Sequence, residues 1–291
     1  MLEFLVSFFG TFTLFLIGKR TGFLDHPSSR KLHESAVPPV GGIAIFLTLL
    51  VFGRDNPVFV YSIPMFVLGI LDDIFDLSYK VKLTATAFVS LWYVLSVPLE
   101  TYIFGTKVPQ ILLLIWILGM VNAFNVIDGI DGLMGGISFL MALLLGEKSL
   151  AFSILGFIPM NLPPAKVFLG NNGSFFLGTF LSLASFQFFD GDIGFATLFL
   201  GLPFYEIVFS FLRRAWKRKN PFSPDKFHTH HVFCRRLGKW GSFITLLSIS
   251  AFFNLLGLSE KFQTFFLYLV ICIILFFTYS LFQSDYRGFD L

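Results

Sequence analysis

The chain has 291 residues, of which 55% are hydrophobic and only 13% are charged. A water-soluble domain of this length carries about a quarter charged residues, so the composition excludes an ordinary soluble protein and favours one whose surface faces lipid. The formal net charge of +3 creates no strong field, and we expect no nucleic-acid partner.

Eleven apolar runs, separated by short polar or Gly/Pro-rich breaks, predict transmembrane helices. A spanning helix needs about 20 residues; the runs 133–146 and 148–160 are short for this, so 133–160 is also compatible with one bent helix. We therefore predict an all-α, polytopic transmembrane bundle of about 10–11 spans, forming a single domain over residues 1–291. The first run lacks the features of a cleaved signal peptide, and we expect it to be a retained span. The runs are 2–18, 40–53, 57–71, 82–99, 109–124, 133–146, 148–160, 174–189, 192–209, 241–257 and 263–281.

The basic residues are distributed unequally between the two faces of this predicted bundle. With eleven alternating spans, 17 of the 21 Lys and Arg fall on one face, and the other face keeps Arg54, Lys107, Lys148 and Lys261. The positive-inside rule then puts the N-terminus outside and the larger loops in the cytoplasm. All five His lie on the basic face, together with most of the unusual acidic residues. Because charges at membrane helix ends are costly unless paired or functional, this face is predicted to carry a site.

The segment LGILDDIFDLSYKVKL is the first candidate motif along the chain. On a continuing helix Asp72, Asp73 and Asp76 lie near one face. Carboxylates this close repel one another unless a cation lies between them, and their oxygens are ligands that suit Mg²⁺. Lys80 and Lys82 follow and are placed to hold phosphate. The alternative is an ordinary polar helix end.

The second motif, NAFNVIDGIDGLMGG, follows the fifth span. Asn122, Asn125, Asp128 and Asp131 recur every three residues, so that adjacent members share a helical face, and the glycines permit close approach to a ligand. A helix-capping DG turn is the alternative, but it does not explain the two asparagines.

The third motif is PFSPDKFHTHH, preceded by the basic run RRAWKRK. The spacing of His228, His230 and His231 does not match a zinc site. Imidazoles beside Arg213 and Arg214 make better sense as a phosphate-binding surface. The basic run has a simpler interpretation, since it also sets topology or contacts anionic lipid headgroups.

Two smaller segments, DHPSSRKLHESAVPPVGG and KVFLGNNGS, complete the set. The first carries Lys31 and ends in a glycine pair. The second joins Lys166 to a Gly/Asn loop whose backbone N–H groups are able to cradle an anion.

In order and on one face, these five segments resemble the polyprenyl-phosphate N-acetylhexosamine-1-phosphate transferase family, which includes phospho-MurNAc-pentapeptide translocase. They extend from Asp25 to His231, and the H-x-H-H ending is similar to that of the branch using UDP-N-acetylglucosamine (UDP-GlcNAc) or a related UDP-HexNAc. The resemblance implies transfer of HexNAc-1-phosphate, GlcNAc-1-phosphate in the first place, to a polyprenyl phosphate such as undecaprenyl phosphate. UMP is released, and lipid-linked glycan synthesis begins at the cytoplasmic face of a bacterial-type inner membrane. It also implies dependence on Mg²⁺, with Mn²⁺ as the alternative, and a homodimer, which is common among such proteins.

The same resemblance assigns roles to individual residues. The catalytic residues are Asp72, Asp73, Asp128 and Asp131, and the metal ligands are Asp72, Asp73 and Asn171. The residues assigned to substrate binding are Lys31, Lys82, Asn122, Asn125, Arg213, Arg214, His228, His230 and His231.

Two positions depart from the family pattern. Asn171 stands where a metal-binding Asp is expected, which removes one negative charge, and Glu206 stands where an Asp is usual. Two other functions remain as alternatives. A secondary transporter is expected to carry its ionisable residues near mid-span in two related halves. A CDP-alcohol phosphatidyltransferase is expected to carry a D-x2-D-G-x2-A-R core, whose Ala-Arg pair is missing here.

Overall fold

The structure, a computed structural model, describes residues 1–27, 35–216, 218 and 227–284. These residues form twelve helices and one small β-hairpin, so the predicted helical class is confirmed. In chain order the elements are α1 Leu2–Thr21, α2 Gly41–Phe52, α3 Pro57–Phe75, α4 Tyr79–Ser96, β1 Thr101–Ile103, β2 Thr106–Val108, α5 Ile111–Ile127, α6 Leu133–Leu144, α7 Lys148–Asn161, α8 Gly170–Phe188, α9 Ile193–Phe199, α10 Gly201–Trp216, α11 Thr229–Leu258 and α12 Gln263–Ser284.

Every predicted apolar run contains helix, but the helices differ in how far they reach. Among the described residues α1, α3, α11 and α12 are long and apolar enough to cross a membrane, and α9 with α10 forms one further candidate, bent by 93°. The runs 133–146 and 148–160 form two separate helices of 12 and 14 residues, joined by a turn at Gly146. A 12-residue helix is about 18 Å long, well short of a hydrocarbon layer of about 30 Å.

Side-chain caps set where two of the helices begin. Asn56 precedes α3 and accepts a hydrogen bond from the Val58 backbone N–H at 2.9 Å, with Pro57 at the first helical position. Both residues are favoured at these positions because the first N–H groups of a helix have no partner within it. Asp192 caps α9 in the same way, by accepting from the N–H groups of Gly194 and Phe195.

The hairpin β1–β2 is attached to the bundle through the same Asp192. Its turn residues Phe104 and Gly105 both have positive φ, as tight hairpin turns require. Their N–H groups donate to the two oxygens of Asp192 at 3.0 and 2.7 Å. One carboxylate therefore starts α9 and also holds the hairpin turn.

Helix α8 lies at the centre of the bundle and packs most extensively against α3 and α5. All of its residues from Asn172 to Phe186 are buried. Near its middle, Phe176 packs edge-on against Phe46 of α2 at 5.5 Å. At its first turn, an ideal Cβ on Gly69 of α3 would lie only 2.3 Å from Asn172 Cα, so this contact requires glycine. The close approach brings the start of α8 against the end of α3, where the acidic pair lies.

Candidate active site

Asp73 joins the first motif to the Gly/Asn loop at the start of α8. Its Oδ1 accepts the backbone N–H of Asn171 at 2.9 Å, and its Oδ2 accepts the backbone N–H of Asn172 at 3.1 Å and its side-chain amide at 2.5 Å. These backbone donors belong to the first turn of α8. The first N–H groups of a helix have no hydrogen-bond partner within the helix, and a negative charge is favoured beside them. Asn172 is absent from the predicted site residues, although it makes the most contacts in this loop.

Asp72 closes the turn between α3 and α4. It is 3% exposed, its Oδ1 accepts the Leu77 backbone N–H at 2.8 Å, and its Oδ2 pairs with Lys82 Nζ at 2.9 Å. Asp76 ends α3 in the left-handed conformation and lets the chain reverse. Lys82, predicted to bind substrate, therefore neutralises a neighbouring carboxylate in this structure.

The two asparagines of the second motif behave differently. Asn125 Oδ1 accepts from Ser174 Oγ at 2.9 Å, which connects the end of α5 to the start of α8. The side-chain amide of Asn122 instead donates to the Leu118 carbonyl of its own helix at 2.7 Å. Asn125 thus joins the site, whereas the contacts of Asn122 hold it on α5.

Asp131 lies in the turn that follows and is held by two elements. Its Oδ2 accepts from the Ala165 backbone N–H at 3.1 Å and pairs with Lys239 Nζ of α11 at 2.8 Å. Gly132, the residue after Asp131, donates its backbone N–H to Asn161 Oδ1 at 3.1 Å. Lys239 and Asn161 stand outside every motif, so the sequence carried no signal for them.

Asp128 lies between these groups, beyond the end of α5, and is partly buried. Burial raises its pKa to about 7, and the negative charges of Asp73, Asp131 and Asp25 add to the effect. A carboxylate in this setting is stabilised by a proton or a cation.

The donor chemistry of this cluster fits a hard divalent cation, because carboxylate and amide oxygens are the ligands that Mg²⁺ prefers. Within the part of the chain that the structure describes, no three His, Cys, Asp or Glu side chains form a preassembled metal site. The oxygens of Asp72 and Asp73 accept from nitrogen donors of the protein, and their role as metal ligands stays a prediction.

The histidines of the third motif pack directly against the acidic turn. His228 and His230 are buried with parallel rings 5.5 Å apart, and the rings of His230 and His231 are 4.3 Å apart. His230 Nε2 would be 2.1 Å from a Cβ on Gly129, the residue after Asp128. The second and third motifs therefore form one site, although about 100 residues separate them.

Helix α10 packs against the histidine segment and contributes charged residues at two positions along its length. Glu206 is 1% exposed and contacts the start of α11, whereas Arg213 and Arg214 occupy its last turn. The Arg213 guanidinium lies 5.9 Å from the ring of Phe227, which precedes His228. The predicted arginines are thus next to the histidine segment.

Part of the predicted site falls outside the described residues. Lys31 lies there, and so do residues 221–226 of the third motif and part of the basic run that precedes it. The two ends of the first loop are described, and Asp25 and Val37 exchange backbone hydrogen bonds of 2.9 and 3.1 Å.

An acidic cluster, amide side chains and histidines thus meet at the ends of apolar helices, as expected of a membrane enzyme for anionic substrates. Residues 57–189 match the sequence model of glycosyl transferase family 4. The chain is 60% identical to the undecaprenyl-phosphate alpha-N-acetylglucosaminyl 1-phosphate transferase of Thermotoga maritima, over 97% of both chains. It is 32% identical to the protein of the same name from Escherichia coli K12, over 79% of this chain and 76% of that one. The chain belongs to this family of transferases, and the resemblance drawn from its motifs is confirmed.

Proposed function

We propose that the protein transfers GlcNAc-1-phosphate from UDP-GlcNAc to undecaprenyl phosphate and releases UMP. Two proteins similar to this chain are named for this activity, and for one of them the similarity extends over nearly the whole length of both chains. The observation that carries the proposal is the packing of His230 against Gly129. It unites the histidine motif, assigned to the nucleotide sugar, with the acidic motif assigned to the chemistry.

The reaction is a phosphoryl transfer between two anionic substrates. A phosphate oxygen of the lipid attacks the sugar-linked phosphorus of UDP-GlcNAc, the bond from that phosphorus to the oxygen of UMP breaks, and UMP leaves. Arg213 and Arg214, beside the histidine segment, are placed to offset the charge of the diphosphate. Positioning and charge stabilisation then supply most of the rate enhancement.

We further propose that the acidic cluster binds Mg²⁺, with Mn²⁺ as a substitute. Asp72, Asp73 and Asn171 are the ligands implied by the family, and the raised pKa of Asp128 supports a cation close by. When bound, the ion neutralises diphosphate charge. Asn171 offers an amide oxygen in place of a carboxylate, so we expect weaker binding of the ion than with Asp.

The proposed orientation puts this site at the cytoplasmic face of a bacterial inner membrane, with 10–11 spans and the N-terminus outside. It is supported by the 17 basic residues on one predicted face against four on the other. A cytoplasmic site also suits a soluble nucleotide sugar that meets a membrane-held lipid phosphate.

The experiment is an assay of UMP release by purified protein in detergent, with undecaprenyl phosphate, Mg²⁺ and a panel of UDP-sugars. We expect release with UDP-GlcNAc that depends on both the lipid and the metal. Release with a different UDP-HexNAc alone would replace the proposed sugar, and release with none of them would reject the proposal. Uptake of a labelled solute without UMP formation would favour a transporter.

A further inference from the structure

Glu206 on α10 is a buried carboxylate, and among the described residues its hydrogen bonds and ion pairs lie at the start of α11. Its Oε1 accepts the Thr229 backbone N–H at 2.8 Å and lies 3.2 Å from His228 Nδ1 and 3.6 Å from His230 Nδ1. The residue is 1% exposed. A carboxylate buried this deeply is stable only when nitrogen donors or cations surround it. Here those partners are the histidine segment itself.

The first contact determines where α11 begins. Thr229 is the first residue of α11, and its N–H has no partner within the helix. His228 occupies the capping position but makes no side-chain capping bond. The carboxylate of Glu206 takes that role from a different helix, and negative charge is favoured at a helix N-terminus.

The second contact determines how the ring of His228 is turned. Nδ1 of His228 faces Glu206 Oε1 and also lies 3.0 Å from Ser210 Oγ, one turn further along α10. A carboxylate beside Nδ1 favours the tautomer that carries its proton there, which leaves Nε2 as the acceptor. Two side chains of α10 therefore hold both the orientation and the tautomer of this ring.

From these contacts we propose that Glu206 is a positioning residue for the nucleotide sugar: it contacts no substrate and acts by holding in place His228 and the start of α11, which carries His230. The inference rests on the proposed function, since it takes the histidines as the nucleotide-sugar side of the site. The same contacts explain why position 206 tolerates Glu where Asp is usual, because the longer side chain retains the charge and reaches Thr229 from α10.

The test compares KM for each substrate in Glu206→Gln. Glutamine has the same shape but removes the charge and the preference for a proton on His228 Nδ1. We expect KM for UDP-GlcNAc to rise about tenfold, the equivalent of one charge-assisted hydrogen bond, while KM for undecaprenyl phosphate stays within twofold. The matched control is Glu147→Gln. Glu147 is a partly buried carboxylate in the three-residue turn between α6 and α7, and it accepts a hydrogen bond from Asn56. It should leave both KM values unchanged.

A double-mutant cycle shows whether Glu206 acts through the histidine. If it does, Glu206→Gln adds little to the KM already raised by His228→Gln, because coupled residues are not additive. Full additivity of the two changes overturns the proposal. So does a Glu206→Gln protein with a lower kcat and an unchanged KM for UDP-GlcNAc, since a purely structural role lowers the active fraction without changing substrate affinity.

Ser210→Ala provides a second route that leaves the buried charge in place. It removes one neutral contact to His228, and we expect a rise in KM for UDP-GlcNAc of about three- to fivefold. If Glu206→Gln does not fold, the cycle of Ser210→Ala with His228→Gln decides the matter by the same additivity criterion. Absence of UMP release by the unaltered protein would reject the proposed function. An active protein whose KM for UDP-GlcNAc is unchanged by these substitutions would reject only the role of Glu206.

Discussion

Asp128→Asn should raise stability and abolish activity at once. The pKa of this carboxyl is raised from 3.8 to about 7, first by burial and then by the neighbouring acids. Its ionised form is therefore disfavoured in the folded protein. For an acid with a raised folded pKa, the loss of stability begins as pH rises above the unfolded value near 4 and is complete above about 7. Three pKa units correspond to about 4 kcal/mol. Partial exposure reduces this, and we expect on the order of 2 kcal/mol at pH 8.

The measurement is thermal unfolding in detergent without divalent cations, at pH 8 and at pH 5. Asp128→Asn should melt at a higher temperature than the unaltered protein at pH 8, and the difference should shrink at pH 5, where the folded carboxyl is protonated. UMP release should fall by at least about a hundredfold, because the family resemblance assigns Asp128 to the catalytic pocket and Asn removes its negative charge. Asp190→Asn, an exposed carboxylate with positive φ that Asn accepts, is the control and should change neither property.

Two outcomes would refute this reasoning. A lower melting temperature for Asp128→Asn at pH 8 would mean that the carboxylate is already stabilised by partners in the folded protein. Full UMP release would mean that Asp128 takes no part in the reaction.

Three further predictions concern the surroundings of this carboxyl. Gly129→Ala should lower UMP release at least tenfold, because the new methyl group overlaps the imidazole packed there at 2.1 Å. Asn171→Asp should lower the Mg²⁺ concentration needed for half-maximal activity, since it restores a charged oxygen ligand. Lys239→Met should lower UMP release by removing the 2.8 Å ion pair to Asp131, whereas Lys261→Met, an exposed lysine between α11 and α12, should not.

Each of these predictions has a result that contradicts it. Normal activity of Gly129→Ala would show that the histidine packs elsewhere during turnover. An unchanged Mg²⁺ dependence in Asn171→Asp would remove position 171 from the metal site. Equal effects of the two lysine changes would show that the ion pair to Asp131 has no specific role.

The family and the candidate site residues were readable from short segments of the chain. Long continuous apolar runs predict helices because backbone groups in lipid must be hydrogen-bonded within the protein, and a helix satisfies them within its own segment. Within each motif the candidate residues are only a few positions apart. This holds for Asp72 and Asp73, for Asp128 and Asp131, and for the three histidines from His228 to His231. Chemistry that depends on such local groups is visible without a fold, and the relatives bear out the family drawn from it.

The partners of those residues were decided only by the tertiary structure. Lys239 reaches Asp131 across 108 positions, and Glu206 reaches His228 across 22. Helical periodicity shows which face of a helix is apolar, but it does not show which helix packs against that face. The choice between two short helices and one bent helix over 133–160 was decided in the same way. The sequence left both open, and packing of α6 against α7 stabilises two short helices joined by a turn. The sequence alone determined the family and predicted the site residues, and the packing of helices distant in the chain decided how those residues are held.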